Sequence, residues 1–209
     1  MKLLVIGAAG GTGEEVVAQA VQQGHEVTAL VHSKKDFETP PEVRVVEGDV
    51  LNPVTLDRAM PGQDAVIDAL GGHTPWKDTG LETNAARLVI DAMRKNEVKR
   101  LLVVSAIGVG ETKDLVPGWY EKLILPTFLR GAMQDKEQME PEVEASGLEW
   151  TIVRPGHLVD GERTGVVKTF EPGTGETAHK ITRADVAGFL LQALASGTYV
   201  GQAVNIASN

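Results

Sequence analysis

The feature that most constrains this chain is the stretch VIGAAGGTG at residues 5–13, which contains four Gly in nine positions. Gly7, Gly10 and Gly13 fall at G-x-x-G-x-x-G spacing, a variant of the G-x-G-x-x-G dinucleotide fingerprint with Ala9 at the middle of the motif. An apolar run precedes the motif and a helical pattern follows it, as the fingerprint requires. In that setting the first Gly permits a tight turn and the second lets backbone N–H groups approach a diphosphate. The third lets the helix pack closely on the sheet.

These residues therefore predict a dinucleotide-binding turn, and the alternative is an ordinary strand-to-helix turn. Each Gly loses more backbone entropy on folding than other residues do, so four Gly in one turn indicate that the absence of side chains has a function there. This favours the dinucleotide-binding turn. The predicted turn residues are Gly7, Ala9, Gly10, Gly11, Thr12 and Gly13.

Apolar runs rich in Val, Ile and Leu alternate with helical patterns along the whole chain. The predicted strands are Leu3–Ile6, Val27–Val31, Val43–Val46, Ala65–Ala69, Arg100–Val104, Thr151–Val153 and Val204–Ile206. The predicted helices are Gly13–Gln23, Thr55–Met60, Glu82–Lys95, Gly131–Ala145 and Ala184–Ala195. Strands without polar alternation, separated by helices, predict an α/β fold with a mainly parallel, doubly wound sheet.

The length of 209 residues fits one Rossmann domain over 1–209, with a small substrate-binding region of loops and helices. In a doubly wound sheet, ligands bind beyond the carboxyl ends of the strands. The less regular segments at roughly 71–80, 108–130 and 156–180 are therefore predicted to face the substrate.

The charge balance and the absent residue types exclude several functions. The formal net charge is −9, which argues against a nucleic-acid binder because such proteins need a basic face. There is no Cys, and the five His lack metal-ligand spacing, so no metal site is predicted. No apolar run approaches the ~18 residues of a membrane helix, so we expect no membrane association and a cytoplasmic protein. The oligomeric state, monomer or dimer, stays open.

The residues after the second predicted strand bear on the choice of cofactor. An NAD site places an acid at the end of that strand to bind the ribose 2′-hydroxyl, whereas Val31 is followed by His32, Ser33, Lys34 and Lys35. Basic and hydroxyl side chains suit a 2′-phosphate, so we predict that NADP(H) is preferred over NAD(H). The alternative is a solvated basic turn.

Several motifs in order along the chain resemble one known group of proteins. They are GAAGGTG at 7–13, LVHSKK at 30–35, GDV at 48–50, QDAVIDALG at 63–71, VVSAIG at 103–108, SGLEWTIVRPGHL at 146–158 and ITRADVAGFLLQAL at 181–194. Together they resemble the atypical short-chain dehydrogenase/reductase superfamily. The resemblance is to its NAD(P)H-binding branch, which includes flavin reductases, biliverdin-IXβ reductase and NmrA-like sensors.

The resemblance implies further cofactor contacts at the ends of successive strands. Asp49 and Val50 would bracket the adenine, and Ser105 would lie beside the nicotinamide. The segment that ends the fourth strand, Ala69, Leu70 and Gly71, would line the ribose and phosphates. The segment after the sixth strand, Pro155, Gly156 and His157, would touch the carboxamide. Asp49 also suits a turn-initiating role, and Ser105 a loop or helix cap.

Classical members of the superfamily use a Tyr-x-x-x-Lys pair, and this chain has only half of it. Lys136 matches the lysine, but Ala132 stands four residues earlier where the tyrosine belongs. Tyr120 could replace it or could pack in a lid. The resemblance to biliverdin-IXβ reductase places Ser105 and His157 near the substrate, so the predicted catalytic residues are Ser105, Lys136 and His157. A structural role for His157 is the alternative.

The missing tyrosine favours an acceptor that needs little help from a proton donor. Alcohol and ketone chemistry depends on such a donor for roughly 10²–10⁴ in rate, whereas a flavin, bilin or quinone delocalises the incoming charge. We therefore predict an NADPH-dependent reductase of a planar acceptor. The predicted substrate-contacting residues are Trp76, Trp119, Tyr120 and Phe128, which could instead bury a loop or an oligomer contact. The alternatives are an NmrA-like sensor without turnover and a sugar epimerase or dehydratase, the latter disfavoured by Ala132.

Overall fold

The computed structural model describes residues 1–35, 37–72 and 74–208, so His73 of the segment 71–80 lies outside it. The strands are β1 (Lys2–Ile6), β2 (Glu26–Val31), β3 (Arg44–Glu47), β4 (Ala65–Asp68), β5 (Arg100–Val104), β6 (Glu149–Pro155), β7 (His157–Val159), β8 (Lys168–Phe170), β9 (Lys180–Thr182) and β10 (Gln202–Ala207). The α-helices are α1 (Gly11–Gln22), α2 (Pro53–Ala59), α3 (Leu81–Lys95), α4 (Arg130–Glu144) and α5 (Arg183–Ser196).

The main sheet has eight strands in the order β3-β2-β1-β4-β5-β6-β10-β8. Every neighbouring pair is parallel except β10 with β8, which is antiparallel. The chain runs outward from β1 in one direction to β3 and in the other to β4 and beyond. The carboxyl ends of β1 and β4 therefore form the switch point at which this kind of sheet binds its ligands. The predicted doubly wound α/β fold is confirmed.

Both faces of the sheet are covered by helices, which explains why its central strands are mostly apolar. Alternate residues of β1 point to opposite faces. Leu3 and Val5 join a core with α1 and α5, while Leu4 and Ile6 join a core with α2, α3 and α4. Helices α1 and α5 pack side by side, as do α3 and α4.

The helices differ in whether a side chain caps their first turn. Thr182 caps α5 by accepting a hydrogen bond from the Asp185 N–H at 3.0 Å, and Asn52 caps α2 in the same way. Helix α1 follows Gly10, which has no side chain to cap it. The start of α1 therefore keeps its N–H groups available.

The predicted strands and helices all occur, with ends that shift by at most two residues, and the strand predicted at Arg100–Val104 has the predicted ends. The third strand, predicted at Val43–Val46, runs over Arg44–Glu47 because its pairing with β2 begins at Arg44. The segment 108–130 contains a 3₁₀ helix at Gly110–Leu115 and a π-helical turn at Tyr120–Ile124. Strands β7 and β9 form a separate small parallel sheet. None of the helices within the described ranges is both long and apolar enough to cross a membrane.

Candidate functional site

The turn between β1 and α1 has two positions that only Gly can occupy. Gly7 has a φ of 71°, and a Cβ added to it would lie 2.8 Å from the carbonyl oxygen of Ala69. A Cβ on Gly13 would lie 2.1 Å from the Gly7 carbonyl oxygen, so the first turn of α1 rests on the backbone of the β1 end. The turn thus touches the end of β4, and the structure brings Gly7, Ala69 and Leu70 together at the switch point.

The first turn of α1 is open toward a ligand. The Gly10 N–H donates to the Gly7 carbonyl at 2.9 Å, and the first N–H of the helical ladder is that of Glu14, which donates to the Gly10 carbonyl. The N–H groups of the three residues between them have no carbonyl within the helix to which they could donate. Ala9, Gly10 and Gly11 are exposed, whereas Thr12 and Gly13 are buried. An uncapped helix start with N–H groups on bare backbone fits a diphosphate.

A basic side chain from the far end of the chain lies against this turn. A Cβ on Gly11 would lie 2.8 Å from Cδ and 3.0 Å from Nε of Arg183, the first residue of α5. The Arg183 guanidinium donates to Asp160 Oδ1 at 2.6 Å. The sequence did not point to Arg183, because its nearness to Gly11 follows from the packing of α5 on α1.

The edge of the sheet after β2 is basic but contains one carboxylate contact. His32, Ser33 and Lys34 are exposed there, and the Lys34 N–H donates to Glu47 Oε1 at 3.3 Å. A cavity of about 490 Å³ adjoins Lys34 but not His32 or Ser33. It is lined by Lys34, Arg44, Val45, Val46, Glu47 and Arg58. Arg44 and Arg58 were not among the predicted residues, since they lie on β3 and α2 and converge only in the fold.

The predicted adenine contacts follow β3. Asp49 is exposed, and its Oδ1 accepts a hydrogen bond from the Leu51 N–H at 2.9 Å, so it does initiate a turn. Val50 is buried in the core between the sheet and α2. A turn role does not prevent the other carboxylate oxygen from binding a ligand, and the adenine contact stays a prediction.

Ser105 directly follows the last residue of β5. Its N–H donates to the Val153 carbonyl at 2.8 Å, which aligns it with the end of β6. The Ile107 N–H donates to the Pro155 carbonyl at 3.0 Å, so Ser105 and Pro155 belong to adjoining strand ends. The side chain is 3% exposed, and Oγ has no hydrogen-bond partner within the described part of the chain. A buried hydroxyl without a partner is unfavourable, and this one fits a ligand that supplies the partner.

Lys136 lies in a buried group of carboxylates. Its Nζ forms an ion pair with Glu82 of α3, and both side chains are buried. Asp135 next to it accepts hydrogen bonds from the Glu82 and Thr83 N–H groups, each at 2.9 Å, and so caps α3. The sequence singled out Lys136 alone, and nothing local in the sequence indicated that Glu82 faces it.

Asp68, at the end of β4, belongs to the same group. Burial raises its pKa to about 6, the Leu70 N–H and Lys136 oppose that rise, and Glu82 adds to it. Leu70 donates to Asp68 Oδ1 at 2.9 Å, so the buried carboxyl holds the backbone of the segment predicted to line the phosphates. Gly71 follows in open, exposed backbone.

His157 lies two residues beyond the end of β6 and is the first residue of β7, in the small β7–β9 sheet. Its N–H donates to the His179 carbonyl at 2.8 Å, and a Cβ on Gly156 would lie 2.7 Å from that oxygen. The imidazole is exposed and makes no hydrogen bond to other residues in the ranges that the structure describes. The predicted structural role, a ring bonded to the loop backbone, is therefore not what the structure contains: the backbone of His157 makes that bond.

The four predicted aromatic residues form two pairs. Trp76 and Phe128 have ring centroids 6.0 Å apart, and Trp119 and Tyr120 have centroids 5.7 Å apart in an edge-on arrangement. The rings of Trp76, Trp119 and Phe128 are more than half exposed. The first pair joins the segment 71–80 to the segment 108–130.

These two segments meet at the start of α4. The Ala132 N–H donates to the Pro75 carbonyl at 2.9 Å, and Gly131 lies directly on the backbone of Lys77. A cavity of about 520 Å³ lies between α4 and the segment 108–130, bounded by Gly108, Leu125 and Met133 among others. The cavity is also lined by charged and polar residues, namely Lys113, Glu121, Arg130, Gln134 and Glu137. The uncovered apolar surface on the predicted substrate side is therefore that of the exposed aromatic residues.

Comparison with known proteins agrees with this geometry. A family model described as NAD(P)H-binding matches residues 7–197. YhfK of Bacillus subtilis, named an uncharacterized sugar epimerase, is 31% identical over 205 residues, which are 93% of this chain and 88% of YhfK.

Two solved structures share the fold at lower identity. A short-chain dehydrogenase/reductase from Veillonella parvula in complex with NADP superposes with a TM-score of 0.83 at 17% identity, over 99% of this chain and 94% of that one. ChuY, an anaerobilin reductase from Escherichia coli O157:H7, gives a TM-score of 0.78 at 22% identity, over 100% and 97% of the two chains.

Proposed function

The chain belongs to the NAD(P)H-binding family, and we propose that it is an NADPH-dependent reductase of a flat conjugated acceptor. The acceptor class is a flavin, a bilin or a quinone. The family supports a general oxidoreductase role, and the choice of acceptor rests on the site itself.

The proposal rests on Ala132, which stands where the tyrosine of the Tyr-x-x-x-Lys pair belongs. Lys136 follows one turn later on α4, so the helix retains half of the Tyr-x-x-x-Lys pair, but Ala132 offers no proton. Tyr120 does not replace the missing phenol well, because burial raises its pKa and makes it a weaker acid. A reduction that needs a strong proton donor in its transition state is therefore disfavoured. An acceptor that spreads the incoming charge over a conjugated system suits this site.

The residues present fit a nicotinamide dinucleotide, which when bound supplies a hydride. The N–H groups of Gly11, Thr12 and Gly13 would bind its diphosphate. The backbone of Ala69 and Leu70 would line the adjoining ribose. Ser105 Oγ, buried and without a partner among the described residues, would hydrogen-bond the carboxamide or the acceptor and so fix the reacting rings in position.

The basic cavity beside β3 supports the preference for NADPH. Lys34 and Arg58 line it, and Arg58 Nη2 donates to the Glu47 carbonyl at 2.8 Å, which orients the guanidinium along the edge of β3. A 2′-phosphate here would meet fixed positive charge in a chain whose overall charge is negative.

The exposed aromatic residues support a planar acceptor. Trp76 and Phe128 are tilted by 43° to each other and are both more than half exposed, which suits contact with an extended ring system. ChuY, which shares this fold, is named an anaerobilin reductase. The exposed imidazole of His157 would be the group that supplies the proton in place of the missing tyrosine.

A direct test is NADPH oxidation by the purified protein with FMN, biliverdin and a quinone as acceptors, and with a simple ketone as the matched control. We expect turnover with at least one of the conjugated acceptors and none with the ketone. Turnover with the ketone alone would contradict the proposal. Tight binding of NADPH with no turnover for any acceptor would instead support a sensor without catalysis.

A sugar epimerase is the second candidate, and it is favoured by the name of YhfK. Ala132 argues against it, because epimerisation through a ketone intermediate requires a group that removes and returns the hydroxyl proton. Incubation with NAD⁺ and a nucleotide sugar, followed by separation of the epimers, distinguishes the two functions. We expect no interconversion.

A further inference from the structure

We infer that Arg183 is a diphosphate ligand, a basic side chain that α5 supplies to the turn at the start of α1. This inference rests on the proposed binding of a dinucleotide and goes beyond it, because the glycine motif contains no charged side chain of its own that could bind an anion.

The position of Arg183 is set by the packing of the two helices. Arg183 is the first residue of α5 and Gly11 is the first residue of α1, and the helices lie side by side. The aliphatic part of Arg183 lies directly on Gly11, with Cδ only 2.8 Å from where a Cβ would be. Gly11 therefore leaves room for the arginine, which explains why this motif has a Gly between Gly10 and Thr12.

The electrostatics of the turn call for such a residue. The protein has a net charge of −9, and Glu14 adds a carboxylate to the first turn of α1. A diphosphate carries negative charge into this region, and the partial charge of a helix start is only about half an elementary charge. A guanidinium provides a full charge and a planar fork of donors that matches phosphate oxygens.

The current partner of Arg183 leaves the guanidinium accessible. Asp160 accepts one hydrogen bond from it at 2.6 Å, but the Asp160 side chain is 92% exposed while that of Arg183 is 29% exposed. An ion pair in which one partner, here Asp160, is almost fully exposed contributes little to stability. Replacing the Asp160 carboxylate by a diphosphate therefore costs little free energy. Asp160 thus holds Arg183 beside the turn and competes with the ligand for it.

The chain offers a matched control on the same helix. Arg163 lies over Gly188 of α5 as Arg183 lies over Gly11, with Nε 2.6 Å from where a Cβ on Gly188 would be. Gly188 is five residues further along α5, about 7.5 Å down the helix axis and away from the start of the helix. Removing the charge of Arg163 therefore removes a similar arginine–glycine contact without removing a ligand of the diphosphate.

The test is the Kd for NADPH, measured by calorimetry on wild type, Arg183→Gln, Arg163→Gln and Asp160→Asn, with thermal unfolding to show that each variant is folded. Loss of one charge-assisted hydrogen bond weakens binding about tenfold. We therefore expect Arg183→Gln to raise the Kd about tenfold and Arg163→Gln to leave it unchanged. Asp160→Asn should bind at least as tightly as wild type, because a competing carboxylate is gone.

The effects of Arg183→Gln and Asp160→Asn on the Kd for NADPH distinguish a ligand of the diphosphate from a residue with only a structural role. If Arg183 only fastens the segment around Asp160 to α5, both Arg183→Gln and Asp160→Asn will raise the Kd, and the inference is wrong. An unchanged Kd for Arg183→Gln overturns it as well. Failure of the wild type to bind NADPH or NADH would instead refute the proposed function, so the two failures are distinguishable.

A second ligand locates the contact within the dinucleotide. Adenosine 2′-monophosphate contains the adenosine and the 2′-phosphate but no diphosphate. We expect it to compete equally well for wild type and Arg183→Gln, and a tenfold loss in competition would place Arg183 elsewhere and overturn the inference.

Discussion

Gly131 lies so close to Lys77 that a Cβ on the glycine would be 2.1 Å from the Lys77 carbonyl carbon. The start of α4 and the segment after β4 are therefore in direct backbone contact. This contact brings Trp76 to Phe128 and fixes Ala132 against Pro75. The arrangement of the substrate side therefore depends on a close backbone approach that a side chain at position 131 would prevent.

Gly131→Ala should separate these two segments. A side chain cannot fit against a backbone at that distance, so we expect a loss of about 1–3 kcal/mol in the free energy of unfolding. Because the clash lies away from the glycine turn, KM for the acceptor should rise while the Kd for NADPH changes little. Urea unfolding and acceptor titration measure both effects. Gly118→Ala is the control, since a Cβ there meets no atom within 4 Å, and equal effects of the two substitutions would contradict this account.

Ser105→Ala should lower turnover without lowering the unfolding free energy. The hydroxyl is buried without a partner in the described structure, so its removal should leave the unfolding free energy unchanged or raise it by about 1 kcal/mol. Turnover should fall, because the group that positions the reacting rings is lost. Thr151→Val is the contrasting case, since the Thr151 hydroxyl donates to the Tyr199 carbonyl at 2.7 Å and its loss should cost about 1 kcal/mol. A Ser105→Ala protein with normal turnover would exclude a role for this hydroxyl.

Lys34→Gln should reduce the preference for NADPH. Lys34 lines the cavity beside β3, and loss of one charge-assisted contact to the 2′-phosphate should raise the Kd for NADPH about tenfold. The Kd for NADH should stay the same, because NADH has no phosphate at that position. Lys35→Gln removes a neighbouring charge that does not line the cavity and should have a smaller effect. Equal weakening for NADPH and NADH would show that Lys34 does not recognise the 2′-phosphate.

Asp68 makes the stability of the protein depend on pH in a direction opposite to that of most carboxylates. Its pKa is raised from 3.8 to about 6 by burial, so between these values the folded state holds a proton that the unfolded state has lost. The unfolding free energy should therefore fall as the pH rises through this range, by roughly 3 kcal/mol for a rise of two pKa units.

Asp68→Asn removes this titration while keeping an oxygen that can accept from the Leu70 N–H. We expect the unfolding free energy of the variant, measured in urea at a series of pH values, to lack the fall seen in wild type. Parallel curves for the two proteins would show that Asp68 titrates normally.

The parts of the fold that depend on local signals could be predicted from the sequence. The apolar runs, the helical periodicity and the spacing of Gly7 and Gly13 each involve residues close together in the chain. The contact between Gly13 and the Gly7 carbonyl agrees with the role predicted for the third glycine. Strand and helix order along the chain then determined the parallel sheet.

Contacts between distant segments could not be predicted in the same way. Arg183 lies on Gly11, and Lys136 pairs with Glu82, only because helices pack in particular registers. Strands β7 and β9 have three residues each, which is too short to show a period of two. His157 was singled out by resemblance, while its pairing with the strand that ends at Thr182 came only from the fold.

The most direct measurement is a crystal structure of the protein grown with excess NADPH. We expect the diphosphate on the N–H groups of Gly11, Thr12 and Gly13, the guanidinium of Arg183 turned toward it, and the nicotinamide beside Ser105. A structure in which the turn binds no nucleotide, or in which a side chain fills it, would contradict the account.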